Sequence, residues 1–288
     1  PVIIFAHSGA FFIGSKDAQD MVALSEAAAR RGYVAISMEY RLGLNILSSY
    51  SGERAVYRGL QDGSAIIRYL REHHDNFNID YDKIFFWGSS AGSFIGLHLS
   101  YCEESERPLS TYGNDFDPDL GCIDCEGNDY DHPNKPMALI STWGAIGNLE
   151  WIDEYEDVPT ALFHGTSDLI VPYDEGYPFT LNITLPYVYG SSKISDRMTH
   201  RKFTKNQMIL LEDDLGQTFF VIATGSVKIT RLSDDGREVI LAMLGEADFF
   251  GEMSLLDGDG RSANVVALES SEVLTLARNE FLDILEQY

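Results

Sequence analysis

The spacing of apolar residues changes character once along the chain, near residue 200, and no single sheet architecture accommodates both sides of that change. Up to about Met198, short apolar stretches alternate with amphipathic ones. Strands are expected at 1–6, 33–38, 83–87, 136–141 and 159–164, and helices at 21–31, 63–74 and 187–198. Strand–helix alternation calls for a parallel sheet with helical crossovers. Beyond His200 the stretches are short and regularly spaced, with turns at Asp234-Asp235-Gly236, Gly245-Glu246 and Asp257-Gly258-Asp259-Gly260. That texture is all-β, closing in one helical stretch at 278–287. The expected organisation is an α/β domain over 1–199 and an all-β domain over 200–288. Neither repeats nor a low-complexity linker interrupt it, although 110–135 reads as one long loop rich in Asp, Asn and Gly.

At 288 residues the chain has room for two ordinary domains, and 44% apolar with 23% charged residues suits a folded globular chain. No apolar run reaches the roughly 18–20 residues of a membrane span. The chain opens at Pro1 inside an apolar run, so an N-terminal portion is expected to be missing. The formal charge of −24 repels phosphate backbones, which argues against general nucleic-acid binding. Oligomeric state is left open.

The sharpest chemical signal is Gly88-Ser89-Ser90-Ala91-Gly92, directly after an apolar strand. A Gly-x-Ser-x-Gly turn between strand and helix lifts a serine hydroxyl above the sheet edge, where helix N–H groups favour developing negative charge. Further upstream stands His7-Ser8-Gly9-Ala10-Phe11-Phe12, followed by Gly14-Ser15. With Tyr40-Arg41-Leu42, Asp62, Tyr69-Leu70 and Asn78-Ile79-Asp80, these residues resemble the carboxylesterase and lipase family of α/β-hydrolases. The resemblance covers about the first two-thirds of the chain and lacks the family's leading antiparallel strands. It implies a truncated doubly wound sheet and a carboxylic ester hydrolase needing no cofactor, acting on a small ester through an acyl-enzyme. Ser90 would be the nucleophile, and the N–H groups of Gly9, Ala10 and Ala91 the oxyanion hole. Ser8 and Ala10 replace two family glycines, and the role of Ala10 requires a negative φ. His7 is read as a loop support.

A serine hydroxyl needs a base, itself oriented by an acid. The family order is Ser, acid, His. Phe163-His164-Gly165-Thr166-Ser167-Asp168, with Val171-Pro172, resembles the acid segment, making Asp168 the acid and His164 structural. After Asp168 the chain contains only His200. It is either the base or a surface residue at a junction, and in the second case activity falls by several orders of magnitude. His73, His74, His98 and His132 are read as surface or helix-packing residues. Cys122 and Cys125, near Cys102, form a Cys-x-x-Cys pair read as a disulfide or as reduced thiols; no metal site is expected. Asp115-x-Asp117-x-Asp119 begins like a calcium loop, but Leu120 stands where Gly is needed, so a solvated acidic loop is the preferred reading.

The second half carries Phe249-Phe250-Gly251-Glu252-Met253-Ser254-Leu255-Leu256, then Arg261-Ser262-Ala263. This resembles the phosphate-binding cassette of cyclic-nucleotide-binding domains, with Gly216, Gly225 and Gly236 fitting the β-roll. The resemblance implies cAMP or cGMP as bound effector. Gly251 would allow close backbone approach, Glu252 would accept from the ribose 2′-OH, Arg261 would pair with the phosphate, and Met253 and Ser262 would complete the pocket. The alternative is a jelly roll with Glu252 and Arg261 as a buried ion pair. The terminal helix that caps the base is expected to be cut short, and no helix-turn-helix follows.

Three readings follow: an esterase fused to a cyclic-nucleotide module, a regulatory module whose hydrolase portion is inert for lack of a histidine, and an artificial fusion of two fragments. A disulfide fits an exported enzyme, whereas the β-roll is typical of cytoplasmic sensors, so the compartment stays open.

Overall fold

A computed structural model of the chain describes residues 1–48, 50–115, 117–152, 158–179, 184–214, 216–233, 237–278 and 281–282. It divides into two compact units, Pro1–Ser195 and Asp196–Tyr288.

The first unit runs β1 (Val2–Ala6), α1 (Gln19–Ala29), β2 (Val34–Met38), α2 (Ser51–Glu72), α3 (His74–Phe77), β3 (Ile84–Ser89), α4 (Ala91–Tyr101), β4 (Ala138–Thr142), β5 (Ala145–Ile146), β6 (Thr160–Phe163), β7 (Glu175–Gly176), β8 (Val188–Gly190) and α5 (Ser191–Thr199), the last crossing the boundary. Its main sheet has the order β2-β1-β3-β4-β6 and every pairing in it is parallel. β1 and β3 at its centre are apolar and buried, as strands covered on both faces must be. A small sheet of order β5-β8-β7 lies apart from it.

Two helix assignments need correction. α2 begins at Ser51, twelve residues before the expected start, so Asp62 is a mid-helix residue and not a leader to the helix. There it accepts from the Arg41 backbone N–H at 2.7 Å and from Arg41 Nε at 2.8 Å, while burial raises its carboxyl pKa. The helix expected at 187–198 opens instead with strand β8.

One side of α2 explains the long polar loop. Arg54, Tyr57, Gln61, Ser64, Arg68 and Arg71 recur at spacings of three and four, which aligns them along one helix face. Arg54 donates to the carbonyls of Ser110 and Pro118, Tyr57 to Gly121, and Gln61 to Leu120 and Cys122. Arg68 donates to Glu126, Asn128 and Tyr130, and Arg71 to Pro133 and Lys135. Carbonyls of an irregular segment need donors once they leave water, and this stripe supplies them. Within the loop Cys122 and Cys125 are disulfide-bonded, while Cys102 is free and buried, its thiol pKa pushed up to about 12 chiefly by burial. Asp119 accepts from Arg107 and the Gly121 N–H, and no metal-binding cluster occurs among the described residues.

The second unit comprises β9 (His200–Phe203), β10 (Met208–Leu210), β11 (Thr218–Thr224), β12 (Val227–Leu232), β13 (Glu238–Leu244), β14 (Phe249–Phe250), α6 (Met253–Asp257), β15 (Asn264–Ala267) and β16 (Ser271–Ala277). Two antiparallel four-stranded sheets, β10-β15-β12-β13 and β14-β11-β16-β9, form it. Its core gathers Phe203, Phe220, Ile222, Val227, Phe250, Val265, Ala267 and Val273, with Phe220 and Phe250 stacked 4.9 Å apart. The helix expected at 278–287 and the turn at 234–236 lie largely or wholly outside the described residues.

Candidate functional site

Ser90 caps α4 with φ 51° and ψ −113°, a left-handed conformation that a side chain adopts only when its surroundings impose it. The surroundings do so here. A Cβ on Gly88 would fall on the Gly92 carbonyl, and one on Gly92 on the Ala6 carbonyl, both far inside contact distance. The Ser90 N–H donates to the Thr142 carbonyl at 3.0 Å. Ser93 Oγ accepts from the Thr142 N–H at 2.9 Å and stands 2.6 Å from the Gly88 carbonyl. The elbow is thus clamped between β3, β4 and the first turn of α4.

Ser90 opens onto a cavity of about 660 Å³. Ala10 and Ala91 line it beside Ser90, whereas Gly9 does not. The sequence reading asked for a negative φ at Ala10; the structure has +54°, followed by +56° at Phe11. The loop is a tight left-handed turn, with the Gly9 carbonyl accepting from the N–H groups of Phe12 and Ile13. Ser8, standing where the carboxylesterases carry glycine, donates from Oγ to Ser89 Oγ at 2.8 Å and so ties this turn to the elbow strand. His7 is buried, stacked on Tyr40 at 4.2 Å, with its Nδ1 donating to the Ser8 carbonyl, and it supports the loop.

Asp168 follows β6, and its Oδ1 accepts from the N–H groups of Ile170 and Val171 at 2.8 and 3.0 Å. His164 is buried, with Nε2 donating to the Val171 carbonyl at 3.1 Å and Nδ1 accepting from Ser191 Oγ at 2.9 Å. His200 is the first residue of β9 in the second unit, opposite Leu274, and its Nδ1 faces Glu272 Oε1 at 3.4 Å.

Among the described residues of the first unit no histidine is hydrogen-bonded to Ser90. His73 meets Tyr130, His74 the Arg71 carbonyl, and His132 Glu72. His98, missed as a site residue, lines the cavity. Its Nδ1 donates to the Phe94 carbonyl at 2.7 Å, and burial pulls its pKa down to about 4. Its backbone stands eight residues along α4 from that of Ser90, about 12 Å at 1.5 Å per residue. Its depressed pKa has a consequence for stability. Between pH 6.5 and about 4 the unfolded imidazole is protonated while the folded one is not, so acidification favours unfolding in that window. Relative to a His98→Phe variant, the chain should lose about 3 kcal/mol over that range, read from denaturant titrations at each pH.

In the second unit Gly251 has φ +85°, and a Cβ there would approach Arg261 Nη1 to 2.9 Å. The buried Arg261 guanidinium donates from Nη1 to the Gly251 carbonyl and Ser254 Oγ, and from Nη2 to the Thr218 carbonyl, all at 2.8 Å, and sits over the Phe220 ring. Glu252 is half-buried at the start of α6, beside the exposed Met253, and Ser262 is exposed. Among the described residues Glu252 and Arg261 do not form the ion pair of the alternative reading. Gly251, Glu252, Ser254 and Arg261 are instead gathered where β14 runs into α6.

Comparisons with known proteins bear on both units. A family model described as BD-FAE matches residues 1–147, and one described as cyclic nucleotide-binding domain matches residues 200–288. The cyclic AMP receptor protein of Thermus thermophilus is 40% identical over 87 residues, 30% of this chain and 40% of that protein. The regulatory subunit of the cAMP-dependent protein kinase of Hypocrea atroviridis is 35% identical over 97 residues, 34% of this chain and 20% of that protein. The crystal structure of the Thermus thermophilus catabolite activator protein aligns at 40% identity over 31% of this chain and 41% of that one, with a TM-score of 0.30. The chain thus spans less than half the length of each of these proteins.

Proposed function

The chain belongs to the BD-FAE family through residues 1–147 and carries a cyclic nucleotide-binding domain at residues 200–288, and from these premises we propose that it joins a serine-centred ester-binding unit to a module that binds cAMP or cGMP. For the first unit the reading is an α/β-hydrolase, and one observation carries it: the left-handed Ser90 at the mouth of a cavity, locked by Gly88 and Gly92. Ser90 Oγ would attack the carbonyl carbon of a small carboxylic ester. The tetrahedral oxyanion would be met by the N–H group of Ala91, the alcohol would leave, and water would release the acid from the acyl-enzyme. Asp168 would serve as the acid. Among the described residues of the first unit no imidazole is hydrogen-bonded to Ser90, so on this reading the serine proton passes to the departing alcohol through water. On this reading turnover is slow, which favours the second of the readings above, a regulatory cyclic-nucleotide-binding protein whose hydrolase portion is inert.

In the second unit the cyclic phosphate would be held by Arg261 and by backbone N–H groups near Gly251 and Ser262, the ribose 2′-OH would donate to Glu252, and Met253 would pack beside them. The relatives named for cyclic AMP, and the similar cGMP-dependent protein kinase of Caenorhabditis briggsae, support a purine 3′,5′-cyclic monophosphate as ligand class. Calorimetric titration of the whole chain with cAMP and with cGMP should give one site for at least one of them, and none for 5′-AMP, whose phosphate is not closed onto the ribose 3′ oxygen. Absence of heat with both cyclic nucleotides would reduce the module to a scaffold.

A further inference from the structure

His98 has half of its hydrogen-bonding capacity engaged and the other half turned to the cavity. The Phe94 carbonyl can only accept, so Nδ1 must carry the proton and Nε2 keeps a bare lone pair. No partner for Nε2 occurs among the described residues, and the residue is only 7% exposed. The Trp151 ring stands edge-on to the imidazole at 5.2 Å, and the Phe94 ring lies parallel at 6.2 Å. Gly147, also on the cavity wall, faces Nε2: a Cβ there would lie 3.3 Å from it. A glycine at that point leaves the approach to the lone pair open. Burial keeps the ring neutral at ordinary pH, so the nitrogen stays an acceptor.

We propose that His98 is a specificity-determining residue for the Ser90 cavity: its Nε2 accepts a hydrogen bond from a hydroxyl on the acyl chain of the ester, at the end remote from the scissile carbonyl. An acceptor set in an otherwise aromatic wall is left unsatisfied by a plain alkyl chain and is satisfied by a chain that ends in O–H, so the site selects the hydroxylated ester. The geometry fits such a ligand. Helical side chains lean toward the N-terminus, bringing the ring back toward Ser90. An acyl chain of six carbons can then reach from the elbow toward the imidazole. The proposal rests on reading the cavity as an ester site, and it is independent of turnover.

The test uses the whole chain carrying Ser90→Ala, so that no ester is consumed, and titrates it with ethyl hexanoate and with ethyl 6-hydroxyhexanoate, following the emission of the tryptophans, of which Trp151 lines the cavity. Neither probe absorbs where tryptophan emits. The preference for the hydroxylated ester should fall about tenfold in His98→Phe, which keeps the ring and removes the acceptor. Gly147→Ala, which keeps the imidazole and crowds the lone pair, should lower the same preference. An unchanged preference in both variants, or no binding of either ester, overturns the proposal. Failure of Ser90 to react, measured separately on the unmutated chain, would remove the hydrolase reading and leave this result standing.

Discussion

Arg261→Ala should weaken cyclic-nucleotide binding by about a hundredfold or more, because truncating one partner of a buried charge-assisted contact costs about 3 kcal/mol. The effect reaches beyond the ligand. The same guanidinium holds the carbonyls of Gly251 and Thr218 and the hydroxyl of Ser254, so its loss leaves acceptors inside the second unit without a donor. Thermal unfolding should fall in parallel, and the two effects need separation. Arg261→Lys keeps the charge but cannot span acceptors that lie in three directions, and should bind with intermediate affinity. Glu252→Gln provides the cleaner control: Glu252 is half-buried and unpaired with Arg261, so binding should weaken about tenfold with little change in stability. Calorimetry alongside thermal unfolding reads both. Unaltered affinity in Arg261→Ala would remove the arginine from the phosphate site.

Hydrolysis of p-nitrophenyl acetate by the unmutated chain should run at least about a thousandfold below a hydrolase with a complete triad, since groups that act as a unit lose most of their effect when one is missing. Added imidazole should raise the rate by serving as the absent base. Part of that rise must depend on the protein. After subtraction of the reaction of imidazole with the ester in solution, the remaining acceleration should disappear in Ser90→Ala. A fast, imidazole-independent rate would mean that a base does reach Ser90, and would favour the esterase reading.

The elbow was legible in the sequence because its chemistry is local. Five consecutive residues after an apolar strand specify the turn, and the structure adds only what the glycines avoid, the carbonyls of Gly92 and Ala6. The cassette was legible for the same reason, as a run from Phe249 to Leu256 with Arg261 close behind. Elements decided by long-range packing were not. The first half of α2 carries Gly52 and Gly59, residues that weaken a helix. They are tolerated because neighbours crowd against them: a Cβ on Gly59 would approach the Ile95 side chain of α4 to 2.7 Å. The positive φ of Ala10 arises from a turn closed by the Gly9 carbonyl, and nothing in a single alanine signals it. His98 looked like helix packing, which it partly is; its place on the cavity wall depends on Gly147 and Trp151, some fifty residues away. The contact of His200 with Glu272 was not legible either. Only the register of β9 on β16 turns its ring toward Glu272.

The reading of Ser90 as a nucleophile held for attack, with its base missing, is tested most directly by stopping the p-nitrophenyl acetate reaction in acid in the presence of imidazole and locating the acetyl group by peptide mass spectrometry. The account predicts acetylation of the peptide containing Ser90, and none at that peptide in Ser90→Ala. Acetyl groups spread over surface lysines and tyrosines, with Ser90 unmodified, would contradict it.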